Sequence, residues 1–204
     1  MIKREKHNQC QHLSLSHRSS SQVRVSIQRK TRCDFSLALA MTLIVENPQK
    51  RLPNVTFDKY EAKDAQNVSI LICRCLKEVN ARDYTPEQIA GMLPGFAPEK
   101  LNERFAGTYA VVVRDVNTIV AVGLLARDEI RTVFVSPDVH GRGIGTALMD
   151  HLENTAIKNG IAIITLFSSV SSRAFYLSRG YEELEQVDHP IGGRMYRMQK
   201  ARES

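Results

Sequence analysis

Three glycines, Gly141, Gly143 and Gly145, form the stretch of this sequence best suited to bind a ligand. They follow a β-branched and aromatic run that ends at Pro137, and they lead directly into a long amphipathic helical pattern. The first-turn N–H groups of a helix have no internal partner, and its amino end carries about half a positive charge. Glycines at that point let a ligand approach the backbone. The stretch therefore predicts a phosphate-binding loop.

The neighbouring residues exclude two other phosphate-binding motifs. A P-loop needs a Lys-Ser/Thr pair after its glycines, and none follows here. A dinucleotide-binding fold is not expected, because the strands predicted ahead of the loop form an antiparallel meander and no acidic residue suited to ribose binding follows on a parallel strand. A purely structural glycine turn is the remaining alternative.

Hydrophobic periodicity places the loop within a series of helices and strands. Asp64 is predicted to cap a helix with apolar residues at 3-4 spacing, and Thr85-Pro86 opens a shorter one. Ile161–Phe167 is nearly all apolar, which predicts a strand covered on both faces. Further strands are predicted at Val55–Tyr60, Tyr109–Arg114, Ile119–Leu125, Glu129–Val135, from Tyr181 and at Arg194–Met198, and further helices at Pro98–Phe105, from the glycines to Gly160 and at Arg173–Ser178.

The order of elements and two motifs resemble the GNAT superfamily of N-acetyltransferases over about residues 55 to 200. His140-Gly141-Arg142-Gly143-Ile144-Gly145 is similar to the family's acyl-CoA pyrophosphate loop, Arg/Gln-x-x-Gly-x-Gly/Ala. Ser169-x-x-Ser172-x-x-Phe175-Tyr176-x-x-x-Gly180-Tyr181 resembles its downstream motif, which begins Asn-x-x-Ala. His140 replaces Arg or Gln, so its contact with phosphate would depend on imidazole protonation. Ser169 and Ser172 replace Asn and Ala.

This resemblance implies an α/β (α+β) fold with a mixed, mostly antiparallel central sheet flanked by helices. The strand ending at Val135 would diverge from the parallel strand Ile161–Phe167 and open a wedge for the pantetheine arm of acetyl-CoA, the implied co-substrate. The residues implied in coenzyme binding are Val133, Phe134, Val135, His140, Gly141, Arg142, Gly143, Ile144, Gly145, Thr146, Ser169, Ser172 and Tyr176.

Acetyl transfer to an amine needs a neutral nucleophile and a proton for the departing thiolate. An amine with a pKa of about 10.4 is almost fully protonated at pH 7, so a base or a water chain is useful. Glu129 lies six residues before Val135, where a carboxylate serves as base in some family members. If the register of the turn shifts by one residue, Asp128 would take this role. The alternative to a catalytic role is that Glu129 is a solvated turn residue.

The downstream motif implies a role for Tyr176. It places a tyrosine hydroxyl close to the coenzyme sulfur, where Tyr176 would protonate the thiolate, and a core tyrosine is the alternative. A backbone N–H of the Phe134–Val135 segment is expected to bind the oxyanion. The acceptor pocket is expected between Asn80 and Phe105. There Arg82, Asp83 and Tyr84 could select a polar substrate or cap the neighbouring helices.

Several other polar residues are expected to be structural. His151 lies on the apolar face of the main helix and is interpreted as a core or boundary residue, while His189 is interpreted as a solvated loop residue. Cys73 and Cys75, two apart on a predicted helix, favour neither a zinc site nor a disulfide and are expected to be small core or boundary residues. The glutamates of the last part of the chain are expected on an exposed strand face: Glu182, Glu183 and Glu185.

The net charge of +6 belongs to the first forty residues. Residues 1–40 contain eight Lys/Arg and two acidic residues, whereas residues 41–204 are balanced, so they have no electrostatic reason to bind nucleic acid. We expect residues 1–54 to be a basic, disordered extension and residues 55–204 to be the N-acetyltransferase domain. The extension could be an organellar transit segment, an interaction arm, or an upstream extension of the reading frame with Met41 as the natural start, which we favour.

The sequence therefore predicts an acetyl-CoA-dependent N-acetyltransferase that acts on a primary amine of a small molecule by direct attack in a ternary complex. A protein lysine or N-terminal acetyltransferase and a non-catalytic acyl-CoA sensor are the alternatives. The apolar run Leu37–Val45 is far shorter than the roughly 20 residues of a membrane span. We expect a cytoplasmic protein without a metal, a nucleic-acid partner or a membrane partner, and a homodimer stays open.

Overall fold

A computed structural model describes residues 54–189 and 193–201 of the 204-residue chain. The predicted extension, with Met41, Cys10 and Cys33, lies outside these ranges except for Asn54. The strands are β1 (Val55–Lys59), β2 (Tyr109–Asp115), β3 (Thr118–Ala126), β4 (Glu129–Val135), β5 (Ile163–Ser169), β6 (Glu182–His189) and β7 (Gly193–Ala201). The α-helices are α1 (Ala65–Glu78), α2 (Pro86–Met92), α3 (Pro98–Phe105), α4 (Ile144–Lys158) and α5 (Arg173–Ser178).

One seven-stranded sheet, in the order β1-β2-β3-β4-β5-β7-β6, organises these residues. Neighbouring strands pair antiparallel, except that β4 and β5 are parallel. Helix α4 connects those two strands, as a parallel pair needs a long crossover. The predicted mixed, mostly antiparallel sheet flanked by helices is confirmed. Within the described ranges, none of the helices combines the length and apolar character needed to cross a membrane.

Each face of the sheet buries its own apolar cluster. On the back face, Leu148, Met149 and Leu152 of α4 are fully buried against the central strands. On the front face, Ile72 of α1 and Leu101 of α3 are fully buried against residues of β2 and β3. Removing this apolar surface from water, at about 25 cal/mol per Å², is the main contribution that holds the helices on the sheet.

A glycine in β3 sets how closely α4 approaches the back face. A Cβ added at Gly123 would lie 2.7 Å from Cδ1 of Leu152 and 3.1 Å from Cδ1 of Leu148. Opposite this glycine the pairing of β3 with β4 is irregular, with a register shift between Val122 and Leu124 and a positive φ of 54° at Thr132. Such a bulge increases local strand twist and bends β4 in its middle.

The predicted wedge lies beyond the point where β4 and β5 separate. The two strands pair at only two positions, Glu129 with Thr165 and Ile130 with Leu166. Strand β4 then continues to Val135 without pairing with β5. We call this opening the β4/β5 split. It leaves a strand edge along which an extended ligand can form backbone hydrogen bonds.

The predictions of a doubly covered β5 and of an Asp64 helix cap are wrong. Strand β5 is not covered on both faces, because Ile163 and Phe167 on its front face are 47% and 43% exposed. Asp64 precedes α1, but its side chain does not cap that helix. Its carboxylate instead accepts from Arg114 Nη2 at 2.8 Å and from the Glu61 N–H at 3.1 Å.

Most of the remaining predictions about single residues are confirmed. The Thr85 hydroxyl accepts from the Gln88 N–H and caps α2, as predicted. His151 lies at the core boundary, where its Nε2 is 2.7 Å from the Tyr109 hydroxyl and its ring stacks on Phe57. His189, however, ends β6 and is not in a loop. The predicted glutamate cluster is exposed along the same strand: Glu182, Glu183 and Glu185.

Candidate active site

The glycine loop adopts backbone angles that only glycine reaches without strain. Gly141 and Gly143 have φ values of +75° and +82°, and Gly143 is the N-cap of α4. A residue with a Cβ in this region costs about 1–2 kcal/mol. The first bond of the helix runs from the Ala147 N–H to the Gly143 carbonyl. The amide groups of Ile144, Gly145 and Thr146 therefore precede the intrahelical bonds and can donate to an anion.

The loop meets both neighbouring parts of the predicted coenzyme site. A Cβ added at Gly145 would lie 3.7 Å from Cζ of Phe175 on α5 and 3.7 Å from Cγ2 of Val135 at the end of β4. The structure thus brings together the end of β4, the start of α4 and the downstream motif. Buried Ile144 anchors the loop in the back-face core.

Two side chains hydrogen-bond to the carbonyl at the end of β4. Cys75 Sγ donates to the Val135 oxygen at 3.3 Å, and His140 Nε2 lies 2.9 Å from the same atom. The His140 ring therefore turns back to the strand, although the sequence predicts that it contacts phosphate. Burial raises the pKa of Cys75 to about 12, so the thiol stays protonated and acts as a donor. Cys73 is half-buried, and both thiols are free.

The two serines of the downstream motif close the turn that begins α5. The Ser169 hydroxyl accepts from the Ser172 N–H at 3.3 Å and donates to the Ser172 hydroxyl at 3.0 Å. Asp83 reaches the same turn from the front side, and its carboxylate accepts from the Ser171 N–H at 2.9 Å. Asp83 is thus a tether between distant segments, not a cap of a neighbouring helix.

Tyr84 and Arg82, the other two predicted acceptor residues, lie in different surroundings. The Tyr84 ring packs on the start of β7, where a Cβ added at Gly193 would be 3.4 Å away. Burial and the Asp83 carboxylate raise the pKa of Tyr84, while the Ser169 hydroxyl opposes this shift. Arg82 is exposed.

Tyr176 is a buried phenol inside the back-face core. Its residue is 6% exposed, and its ring makes edge-to-face contacts with Phe175 and Tyr181. Burial raises the pKa of Tyr176 to about 12, and the Arg179 charge opposes the shift. The hydroxyl is therefore protonated at neutral pH, as a proton donor must be.

A buried charge network, which was not predicted from the sequence, holds the end of the helix that carries Tyr176. Glu153 of α4 accepts from Arg179 Nη2 at 3.0 Å, from the Tyr181 hydroxyl at 3.2 Å and from Lys200 Nζ at 2.9 Å. One signal was present: Glu153 follows Met149 by four residues, which places it on the buried side of α4.

Glu129, the predicted base, lies at the start of β4 in a partly buried position. It forms an ion pair with Arg131, two residues further along the strand, so both side chains share one face. A bound amine would have to compete with Arg131 for this carboxylate. Asp128, the substitute, is exposed in the preceding turn. It also borders a separate concavity of about 490 Å³, lined further by Thr108, Tyr109 and Asn159.

Comparison with known proteins identifies the family. A family model described as an acetyltransferase (GNAT) domain matches residues 80–202, well over half of the chain. The chain belongs to the GNAT family of acetyltransferases. Members of this family use acetyl-CoA as the acyl donor.

Relatives and solved structures agree with this assignment. An uncharacterized N-acetyltransferase from Methanocaldococcus jannaschii is 44% identical over 62 residues, 29% of this chain and 27% of that protein. The match thus spans about a quarter of that relative's length. The GCN5-related N-acetyltransferase from Rhodopseudomonas palustris superposes with a TM-score of 0.68 at 25% identity, covering 72% of this chain and 94% of that one.

A further solved structure shares the fold. The PaiA N-acetyltransferase from Thermoplasma acidophilum, solved in complex with coenzyme A, gives a TM-score of 0.61 at 17% identity, covering 72% of this chain and 99% of that one.

Within the described residues of the present chain, no group of three or more His, Cys, Asp or Glu side chains is arranged to hold a metal ion.

Proposed function

We propose that this GNAT enzyme acetylates the primary amine of a small molecule by direct attack on acetyl-CoA in a ternary complex. The observation that carries the proposal is the meeting of three elements at Gly145: the end of β4, the start of α4 and the helix of Tyr176. Acetyl-CoA needs a helix end that binds its diphosphate, a strand edge that binds its pantetheine arm and a proton donor for its thiolate.

Coenzyme binding would use the backbone more than side chains. The diphosphate would accept hydrogen bonds from the amides that follow Gly143, where the helix end also favours negative charge. The pantetheine arm would lie in the β4/β5 split and pair with the free edge of β4 near Val133 and Val135. Since the Val135 carbonyl already accepts from Cys75 and His140, the arm would share that group or displace the His140 ring.

In the transfer step the amine nitrogen attacks the thioester carbonyl carbon, the new C–N bond forms, and the C–S bond breaks. Glu129 would take the proton that the nitrogen loses, either directly or through water. Tyr176 would give its proton to the departing thiolate. A backbone N–H of the Phe134–Val135 segment would stabilise the oxyanion of the tetrahedral intermediate.

A small acceptor is favoured over a basic protein tail by charge. Residues 41–204 contain equal numbers of Lys/Arg and Asp/Glu, so no excess negative charge would attract a lysine-rich segment. The side chains nearest the predicted base also include the positively charged Arg131.

Release of free coenzyme A thiol with a panel of amines tests the proposal. Tyr176→Phe removes the hydroxyl and should lower kcat by about 10²-fold, the range expected for one general acid. Tyr109→Phe makes the same change at a half-buried tyrosine outside the proposed site and should retain near wild-type turnover. Tight acetyl-CoA binding without thiol release for any amine would instead indicate a sensor. Full turnover by Tyr176→Phe would exclude Tyr176 as the acid.

A further inference from the structure

We infer that the acceptor carries an anionic group, a carboxylate or a phosphate, close to its reactive amine, and that Arg131 together with Arg104 binds this group. The inference rests on the proposed function, because it concerns the acceptor side of the same site. It assigns the acceptor contact to Arg104, which lies in the predicted acceptor region between Asn80 and Phe105, and to Arg131 of β4, which lies outside that region.

Strand alternation places Arg131 on the front face, at the β4/β5 split. Ile130 is buried in the back-face cluster, so its neighbours Glu129 and Arg131 point to the front. Arg131 pairs in register with Leu124, a member of the front-face cluster, which agrees with this assignment. Ile130 is also the last residue of β4 that pairs with β5. Arg131 therefore stands where the split begins, beside the exposed front face of β5.

Arg104 reaches the same area from α3. Its guanidinium lies 4.8 Å from the centre of the Phe96 ring and donates to the Gly95 carbonyl at 2.8 Å. Phe96 makes an edge-to-face contact with Phe134 of β4 at 5.7 Å. Packing thus holds the Arg104 group above the front face of β4, with limited freedom to swing away.

Arg104 and Arg131 bring two positive charges to the front side of β4. Partial burial, and then the Arg131 charge, lower the pKa of Arg104. Arg131 has a carboxylate partner in Glu129, but within the described ranges none of the ion pairs includes Arg104. Glu129 and Asp128 already offset the charge of Arg131, so the charge that a bound anion would neutralise is that of Arg104.

The Glu129–Arg131 pair suits an acceptor with both charges. Its ammonium group could replace Arg131 at Glu129, while its carboxylate or phosphate accepts bidentate bonds from Arg131, so no charge loses its partner. The Arg131 side chain is 54% exposed and therefore open to a ligand. A simple amine would take Glu129 from Arg131 and offer Arg131 no anion in exchange. A polyamine would bring a second cation toward Arg104.

Matched acceptors test this directly. Thiol release is measured with amino acids against their decarboxylated amines, and with O-phosphoethanolamine against ethanolamine, so that the two anion types are separated. We expect the best anionic acceptor to exceed its counterpart without the anionic group at least tenfold in kcat/KM. Arg131→Gln should lower the ratio of the two kcat/KM values at least tenfold, because KM rises for the anionic acceptor alone. Arg131→Lys should keep part of the preference.

The control removes an equal charge nearby. Arg127 is exposed in the turn before β4, and Arg127→Gln should leave the preference unchanged. Preference of the wild-type enzyme for the decarboxylated amines, or an equal loss for both acceptors in Arg131→Gln, would overturn the inference. Equal turnover with and without the anionic group would contradict this inference but not the proposed function. A lack of thiol release with every acceptor would contradict both the inference and the proposed function.

Discussion

The Glu153 carboxylate on α4 receives the Arg179 guanidinium, which follows α5, with 3.0 Å between Oε1 and Nη2. Lys200 of β7 bonds to the other oxygen of the same carboxylate at 2.9 Å. These contacts join the helix that begins at the glycine loop to the helix that carries Tyr176. The spacing between the phosphate end and the proton-donor end of the proposed site therefore depends on one buried anion.

Replacing that anion should destabilise the fold. Glu153→Gln leaves Arg179 and Lys200 without their buried partner, and such a loss costs about 3 kcal/mol. Asp150→Asn removes the exposed partner of the same arginine and should cost less than about 1 kcal/mol. Urea unfolding of both variants measures the difference. Equal losses in the two variants would show that Glu153 does not hold these elements together.

Filling the glycine loop should abolish coenzyme binding. Gly143→Glu places a negatively charged side chain at the N-cap of α4, where the diphosphate is proposed to lie, so calorimetry should detect at least a hundredfold loss of acetyl-CoA affinity. Gly160→Glu is the matched control, since Gly160 has a similar φ of +78° and lies beyond the other end of α4. Retained affinity in Gly143→Glu would contradict the proposed phosphate position.

Tyr176 should make stability depend on alkaline pH. Its folded-state pKa of about 12 lies above the ordinary value of 10.0, so its contribution is complete below pH 10 and is lost as the pH rises through 12. By pH 11 the loss should be about 1 kcal/mol. Unfolding free energies at pH 9 and 11 should fall more steeply for wild type than for Tyr176→Phe. Parallel slopes would mean that the hydroxyl is not buried.

Cys75 should resist alkylation in the folded protein. Burial raises the pKa of its thiol to about 12, so very little reactive thiolate exists at pH 8. Mass-spectrometric mapping after iodoacetamide treatment should find Cys75 modified at least a hundredfold more slowly than in urea, with half-buried Cys73 reacting first. Equal rates for the two cysteines would place Cys75 at the surface and remove its bond to Val135.

The parts of the site that depend on local sequence could be predicted from it. Positive φ at Gly141 and Gly143 and the start of α4 follow from residues within one turn of each other, and strand Glu129–Val135 has the predicted bounds. The charge network could not be predicted in this way, because Glu153 meets partners 26 and 47 residues away. The Asp83–Ser171 contact joins residues 88 apart.

Composition misled in one case for a similar reason. The apolar run in β5 predicts burial on both sides, but helices α1 to α3 pack over the other half of the sheet and leave Phe167 exposed. Which half of a sheet is covered depends on where the helices are placed, and periodicity within one strand does not contain that information. The pairing of Glu129 with Arg131, by contrast, follows from the predicted strand, because residues two apart on a strand share one face.

A crystal structure of the protein with acetyl-CoA would show where the coenzyme binds. We expect diphosphate oxygens at about 2.7–3.2 Å from the amide nitrogens that follow Gly143. We also expect the pantetheine arm in the β4/β5 split and the sulfur within reach of the Tyr176 hydroxyl. A coenzyme bound elsewhere, or one whose diphosphate points away from the start of α4, would contradict the proposed coenzyme site.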